Sequence, residues 1–453
     1  MERDKKKSPG FWVSAAGLAV LAAVFILWCA SRPELGAAGF AAAFASAALF
    51  ALLCLRFVPG WMRFWSAAEL PPPPPAGDEP RHIRLKIFCA FLGADALAVL
   101  LVFLLRALLG YGESFAASLE FWICTDSAHY LDIARDWYLS EGSVDRLVQL
   151  VFLPGYPLAV RLVNYIVGNF LYSGFIVSFL SFGGAGCAIY SLLRLDYTHE
   201  EVIRALKYLL LLPAAFFFAA PMSESFFLLL TALCVYCARK DRWLCGGLLG
   251  ALAAFTRSLG LVLFVPLFFE LVREAVNARG RISARRLTAR FFTLLLIPAG
   301  FAAYCYINYL VSGDPFKFMQ YQNEHWSQQL GWFFNTAGYQ LEHALSCAGA
   351  DSEKLFGLWL PNLLACFGSL AVMAAAAKKL RPSYTAWFIA YFAIATGTTW
   401  LLSAPRYLAA LFPLPLALSA LAKKPAADRL VSALSAALYL LYLLAFTARW
   451  QVW

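Results

Sequence analysis

Leu430-Val-Ser-Ala-Leu-Ser-Ala-Ala-Leu-Tyr-Leu-Leu-Tyr-Leu-Leu-Ala-Phe-Thr-Ala448 runs without a charged residue and with no strand-like alternation. At ~1.5 Å rise per residue such a stretch crosses most of a ~30 Å hydrocarbon core as a helix, whereas a barrel strand needs every second residue polar. Working back from it, similar blocks lie near 407–421, 384–402, 356–377 and 291–311. Others lie near 259–272, 243–256, 224–239, 205–220, 170–193, 87–109, 35–55 and 11–30, which predicts about 13 spans. The composition agrees: 62% of residues are hydrophobic, 14% are charged, and the mean hydropathy is +0.67. A soluble domain is excluded on these values.

The net charge of +10 is distributed in a way that speaks for orientation and against nucleic-acid binding. With Lys5, Lys6 and Lys7 inside, alternate loops place Arg56 to Lys86, Arg194 to Lys207, Arg239 to Arg242, Arg273 to Arg290, Lys378 to Arg381 and Lys423 to Arg429 on the same cytoplasmic face. The opposite loops differ in chemistry. Tyr111 to Phe152 carries Glu113, Glu120, Asp126, Asp132, Asp136, Glu141 and Asp145, and Ser312 to Leu355 is rich in polar and aromatic residues. The expected protein is therefore a multi-pass cell-membrane protein with a cytoplasmic N-terminus and chemistry on the far side.

Three units are expected: a two-helix membrane hairpin over 1–57, a Pro-rich cytoplasmic linker over 58–83 containing Pro71 to Pro75, and a main membrane domain over 84–453 with outer loops near 110–169 and 312–355. The first apolar block exceeds a signal-peptide core and no small-x-small site follows it, so it reads as a retained anchor. Most of the eleven cysteines lie in apolar blocks, where they act as small hydrophobes. Cys234 and Cys237 form a CxxC without a second pair, which favours packing over zinc. Cys124 and Cys347 share the outer side, leaving a disulfide there open.

Polar residues that interrupt an apolar chain need a partner or a watery site. Asp126 and His129, three apart in Phe121-Trp122-Ile-Cys-Thr-Asp126-Ser-Ala-His129-Tyr130, share a face if this segment is helical. An interfacial amphipathic helix would explain them equally. Glu224 lies in the turn Ala220-Pro-Met-Ser-Glu224-Ser225, where a helix cap is the plain alternative, and Arg257 in Phe255-Thr-Arg257-Ser258 calls for an anionic partner, with Glu224 and a phosphate as the candidates. Phe152-Leu-Pro-Gly-Tyr156-Pro157 leads through Arg161 into a short surface helix, and Asp314, His325 and Arg406 mark further outer turns. Carboxylates and arginines on one side, without a phosphate-binding glycine loop, a metal-ligand set or a nucleophile elbow, suit sugar transfer from a lipid phosphate. A single base deprotonates the acceptor, while cations offset the departing phosphate.

Trp122 to Ala134 with Trp137-Tyr138, Phe152 to Pro157, Ala220 to Ser225, Phe255 to Ser258 and Pro405-Arg406-Tyr407, in this order, resemble the PIG-V family, the GPI mannosyltransferase II enzymes and their bacterial relatives in the GT-C glycosyltransferase class. The resemblance covers about Arg84 to the end. It implies an all-α polytopic GT-C-like bundle of about 11 helices beyond the hairpin, and inverting transfer of mannose or another hexose from a polyprenyl-phosphate-linked donor. The acceptor would be a glycolipid, glycan or protein on the extracytoplasmic face. Matched to the motifs, Asp126 is the expected base with His129 beside it; Glu224, Arg257 and Arg406 serve the donor phosphate. Trp122, Tyr156, Arg161, Asp314 and His325 are the remaining substrate-binding candidates. No cofactor or metal ligand is expected, and any divalent-metal requirement is undetermined. The chain departs from the family pattern in having Thr125 where a basic residue precedes the acid, and Gly155 for a bulkier residue, which is expected to widen the acceptor pocket. The alternative is a transporter or flippase for a lipid-linked saccharide, which should carry charge along a mid-membrane path.

Overall fold

The computed structural model describes residues 9–32, 34–66, 79–139, 148–278 and 282–453. Lys5 to Lys7, Pro71 to Pro75, Glu141 and Asp145 lie outside these residues. Among the described residues the only strand-type pairing is one isolated bridge between Leu330 and Thr398. Within the described residues, seven helical segments are long and apolar enough to cross a membrane: Pro9–Ala30, Ala37–Phe64, Ile83–Leu108, Phe170–Leu193, Ala284–Ser312, Ser352–Ala376 and Pro425–Thr447. This architecture is consistent with an all-α membrane protein.

Helices α1 (Pro9–Ala30) and α2 (Ala37–Phe64) form a hairpin, and α3 (Ile83–Leu108) leads to the short α4 (Phe115–Glu120) and α5 (Ser127–Asp136). Then come α6 (Gly155–Val167), α7 (Phe170–Leu193) and α8 (His199–Leu210), followed by the antiparallel pair α9 (Glu224–Arg239) and α10 (Trp243–Thr256). α11 (Phe264–Ala278), α12 (Ala284–Leu294) and α13 (Leu296–Ser312) lead to α14 (Lys317–Trp326) and α15 (Phe333–Cys347). A π-helical turn over Leu355–Trp359 enters α16 (Leu360–Ala376), and α17 (Pro382–Ala395), α18 (Ala404–Ala409), α19 (Pro413–Leu421) and α20 (Pro425–Thr447) complete the chain.

Several expected spans are not single helices, and the breaks have local causes. In 205–220, α8 stops at Leu210 and a 3₁₀ turn follows at Ala215–Phe218, because Pro213 between them has no N–H to continue the ladder. The 407–421 block is split into α18 and α19, each opening on a proline in its first turn, as such prolines favour. The 384–402 block ends as α17 at Ala395, and its tail pairs with another segment, Thr399 N–H donating to Gln329 O at 2.9 Å. The 259–272 block begins as a 3₁₀ run, Ser258–Leu263. Irregular backbone survives at membrane depth only inside protein or beside a wet cavity, so these interruptions point to the interior of one end of the bundle.

The N-terminal hairpin belongs to the same core as the rest of the chain. α2 continues through Pro59 to Phe64, about two turns past the expected boundary at 57, and lies against α15 and α16. Trp28 Nε1 donates to Asn335 Oδ1 at 3.2 Å, and the Gly36 N–H, at the entrance of α2, donates to Glu342 Oε1 at 2.5 Å. Trp28, Ala43 and Leu53 share one hydrophobic cluster with Trp387 and Phe446. All eleven cysteines are free thiols, Cys124 and Cys347 included.

Candidate functional site

Each central side chain is delivered by a helix end. Asp126 caps α5 by position, yet its carboxylate makes no capping bond. Ser127 serves the loop instead, its Oγ accepting from Cys124 N–H at 2.7 Å and donating to Trp122 O at 2.9 Å. Thr125 sits at φ 49°, a left-handed conformation that strains a β-branched residue and fixes the direction in which the chain presents Asp126. Glu224 opens α9 and Arg257 follows the last residue of α10. Because α9 and α10 are antiparallel neighbours, those two termini meet. Arg406 enters from α18.

The result is an alternating chain of acids and bases. Arg257 Nη1 lies 2.8 Å from Glu224 Oε1, Arg406 Nε lies 3.2 Å from the same oxygen, and Arg406 Nη2 donates to Asp126 Oδ2 at 2.6 Å. Their side chains differ in exposure: Glu224 2%, Arg406 3% and Arg257 10%, against 29% for Asp126. Asp126 is thus the accessible end of an otherwise buried array. Arg257 also donates to Ser223 Oγ at 3.0 Å, and Ser223 exchanges a 3.0 Å hydrogen bond with the Tyr130 hydroxyl. The Tyr407 ring lies 5.0 Å from the Arg257 guanidinium and 5.8 Å from that of Arg406, within cation–π range.

Burial disfavours the charge on Arg406, but the Asp126 and Glu224 carboxylates outweigh it and hold its pKa above the ordinary arginine value. Arg257 is likewise buried and raised, chiefly by Glu224. Both are cations at any working pH. Glu224 Oε2 is buried and accepts no hydrogen bond, so this carboxylate is held by charge alone.

The other candidates make different contacts. The His129 ring stacks on Phe152 at 4.5 Å, and Phe152 in turn meets Trp326 edge-on at 5.9 Å. Trp122 is fully buried between Phe175 and Phe446, and Tyr156, also fully buried, donates to Gly174 O at 3.0 Å. Both are packing residues here. Arg161 donates to Ala134 O at 2.6 Å and Arg135 O at 2.9 Å, closing the C-terminal end of α5. Arg161→Ala is expected to cost about 1.5–3 kcal/mol of stability, read as a lower unfolding temperature in detergent. Asp314 is exposed and receives the Phe316 N–H at 2.9 Å, and His325 is exposed on α14. Among the described contacts neither joins the acid–arginine chain.

Gly155 does not widen a pocket. A Cβ there would lie 2.9 Å from Thr256 Cα, so the missing side chain is what lets α6 pack onto the end of α10 beside Arg257. Gly155→Leu is expected to lower stability by about 1–3 kcal/mol through overpacking, checked by thermal unfolding.

Sequence reasoning missed Ser223, Thr125 and Tyr407 as parts of this site, although all lie in the quoted motifs. It also missed a second network at the opposite end of α9, ~22 Å from Glu224 at 1.5 Å per residue. There Arg381 donates to Glu270 Oε1 at 2.6 Å and Oε2 at 2.7 Å, and to Asp196 Oδ1 at 2.9 Å. Arg239 donates to both Asp196 oxygens, at 2.7 and 2.9 Å, and Ser383 donates to Glu270 at 2.5 Å. Asp196 sits in a loop read from its basic residues alone and Glu270 inside the apolar block at 259–272, so the presence of these two acids was the available signal. Asp95, halfway along α3, is 2% exposed, and its Oδ2 accepts no hydrogen bond.

An accessible carboxylate over two buried arginines can accept a proton and stabilise an anion at adjacent positions. No protein-family model and no curated protein matches this chain.

Proposed function

We propose that this chain is a membrane glycosyltransferase resembling the PIG-V family, with a GT-C-like bundle. It moves mannose or another hexose, with inversion, from a polyprenyl-phosphate-linked donor to a lipid, glycan or protein acceptor on the extracytoplasmic face of the cell membrane. The observation that carries the reading is convergence. Asp126 and Arg406, 280 residues apart, are bonded, and with Glu224 and Arg257 they form one array from four of the motifs behind the resemblance.

In this reading Asp126 takes the proton of the acceptor hydroxyl as its oxygen bonds to the anomeric carbon. The bond from that carbon to the phosphate oxygen breaks, and the electron pair leaves with the lipid phosphate. Arg406 and Arg257 offset the charge of that phosphate, which therefore needs no acid. Glu224 fixes the spacing of the two guanidinium groups.

Depth supports a lipid-borne substrate. α9, with 16 residues, is ~24 Å long, shorter than a ~30 Å hydrocarbon core. If the basic network at its far end marks the cytoplasmic interface, the array is recessed on the other side, within reach of a phosphate attached to a membrane-embedded chain.

Asp95 favours a second reading, transport of a lipid-linked saccharide, because a buried carboxyl at mid-helix is the kind of group that lines a transbilayer path. One experiment separates the two. Purified protein in liposomes is given polyprenyl phosphates carrying labelled mannose or glucose, with membrane lipid extract as acceptor. Sugar transfer to the extract is the expected result; transbilayer movement of the intact donor without transfer would replace the enzyme with the transporter.

A further inference from the structure

We infer that Asp126 occupies, in the empty protein, the seat on Arg406 that the phosphate of a lipid ligand takes, so that the phosphate binds by displacing its own future base. The inference rests on the transfer reading and adds to it a masked anion site and an order of binding.

Exposure decides which carboxylate can be displaced. Arg406 is 3% exposed and its ion-pair partner Asp126 is 29% exposed, so Asp126 is the accessible half of the pair. Glu224 is 2% exposed and shared with Arg257, and it cannot leave without exposing two arginines to each other. Arg406 is also poorly satisfied for a buried guanidinium with five N–H donors. Its one short bond goes to Asp126 at 2.6 Å; Nη1 reaches Thr125 Oγ1 at 3.4 Å and the Met222 thioether at 3.2 Å, and Nε forms no well-aligned hydrogen bond. Such donors suit the several oxygens of a phosphate better than the two carboxylate oxygens, Asp126 Oδ2 and Glu224 Oε1, that they now meet.

The charges make the masking effective. Two carboxylates cancel two guanidinium groups, so the empty array has no positive excess to attract an anion. When the phosphate exchanges into the ion pair, no covalent bond changes; Asp126 moves off Arg406 and becomes available to an acceptor hydroxyl. Donor therefore binds before acceptor, because the base stays engaged until the phosphate displaces it.

The test measures binding without transfer. Labelled polyprenyl phosphate, which carries no sugar, is titrated against wild type, Asp126→Asn and the double variant Asp126→Asn with Arg406→Lys in nanodiscs, with inorganic phosphate in a parallel arm. Removing the competing charge is expected to tighten polyprenyl phosphate binding roughly tenfold, equivalent to about 1.4 kcal/mol. Adding Arg406→Lys should erase that gain. Unchanged or weaker binding by Asp126→Asn would overturn the proposal, and a gain for inorganic phosphate alone would overturn the lipid assignment. A measurement on unaltered protein guards against misfolding of the variants: labelling of Asp126 by a water-soluble carbodiimide should rise when polyprenyl phosphate is added, and a fall would count against displacement. A binding gain with no transfer from any donor would sink the enzyme reading alone. Transfer without the gain would sink this inference alone.

Discussion

Arg406→Met is expected to abolish sugar transfer and to lower stability by about 3–5 kcal/mol, because it takes from Asp126 its ion-pair partner and leaves Glu224 with Arg257 alone. The cost comes from the charges left behind more than from the lost bonds. Glu224 is buried, neither of its oxygens accepts a well-aligned hydrogen bond, and its remaining ion-pair partner is Arg257 at 2.8 Å. Thermal unfolding in detergent checks the stability and labelled-sugar transfer checks the activity. Pairing Arg406→Met with Glu224→Gln should recover part of the stability and none of the transfer. A singly substituted protein as stable as wild type would show that Arg406 is not the keystone of the array.

The second large effect is expected at the other end of α9. Glu270→Gln keeps the shape of the side chain but removes the charge that two arginines share, bonded to Arg381 at 2.6 and 2.7 Å and 3.7 Å from Arg239. A loss of about 3 kcal/mol or more is expected. Transfer per folded molecule should be unchanged, because nothing in this network touches Asp126 or its partners. Unfolding temperature and specific activity measured on the same preparation test both halves. The contrast between Arg406 and Glu270 separates two arrays of similar composition: one closed and fully bonded, the other open at a single carboxylate.

How legible these features were in the sequence follows from what each depends on. The uncharged block at 430–448 appears as α20, Pro425–Thr447, because length and apolarity alone make a helix of that size. The blocks at 205–220 and 407–421 did not read correctly, since whether Pro213 or Pro413 ends a helix depends on neighbours that can satisfy the freed carbonyls. Among site residues, Asp126, Glu224, Arg257 and Arg406 were visible because a charge in an apolar chain demands a partner. The partner itself was half-visible: the sequence suggested Glu224 for Arg257, which the 2.8 Å contact matches, but gave no sign that Arg406 joins Glu224 to Asp126. Arg161 looked the same in sequence and closes α5 instead. Gly155 looked like added space and is a packing contact against Thr256. Both distinctions need tertiary neighbours, which no spacing in one chain encodes.

In the proposed function this array performs sugar transfer with Asp126 as its base. Its most direct test is transfer of radiolabelled mannose from polyprenyl phosphate mannose to membrane lipid extract, by wild type beside Asp126→Asn at equal folded concentration. The expected result is transfer by wild type and a ~10²–10⁴-fold lower rate in the variant, the range for loss of a general base. Equal rates in the two proteins would contradict it.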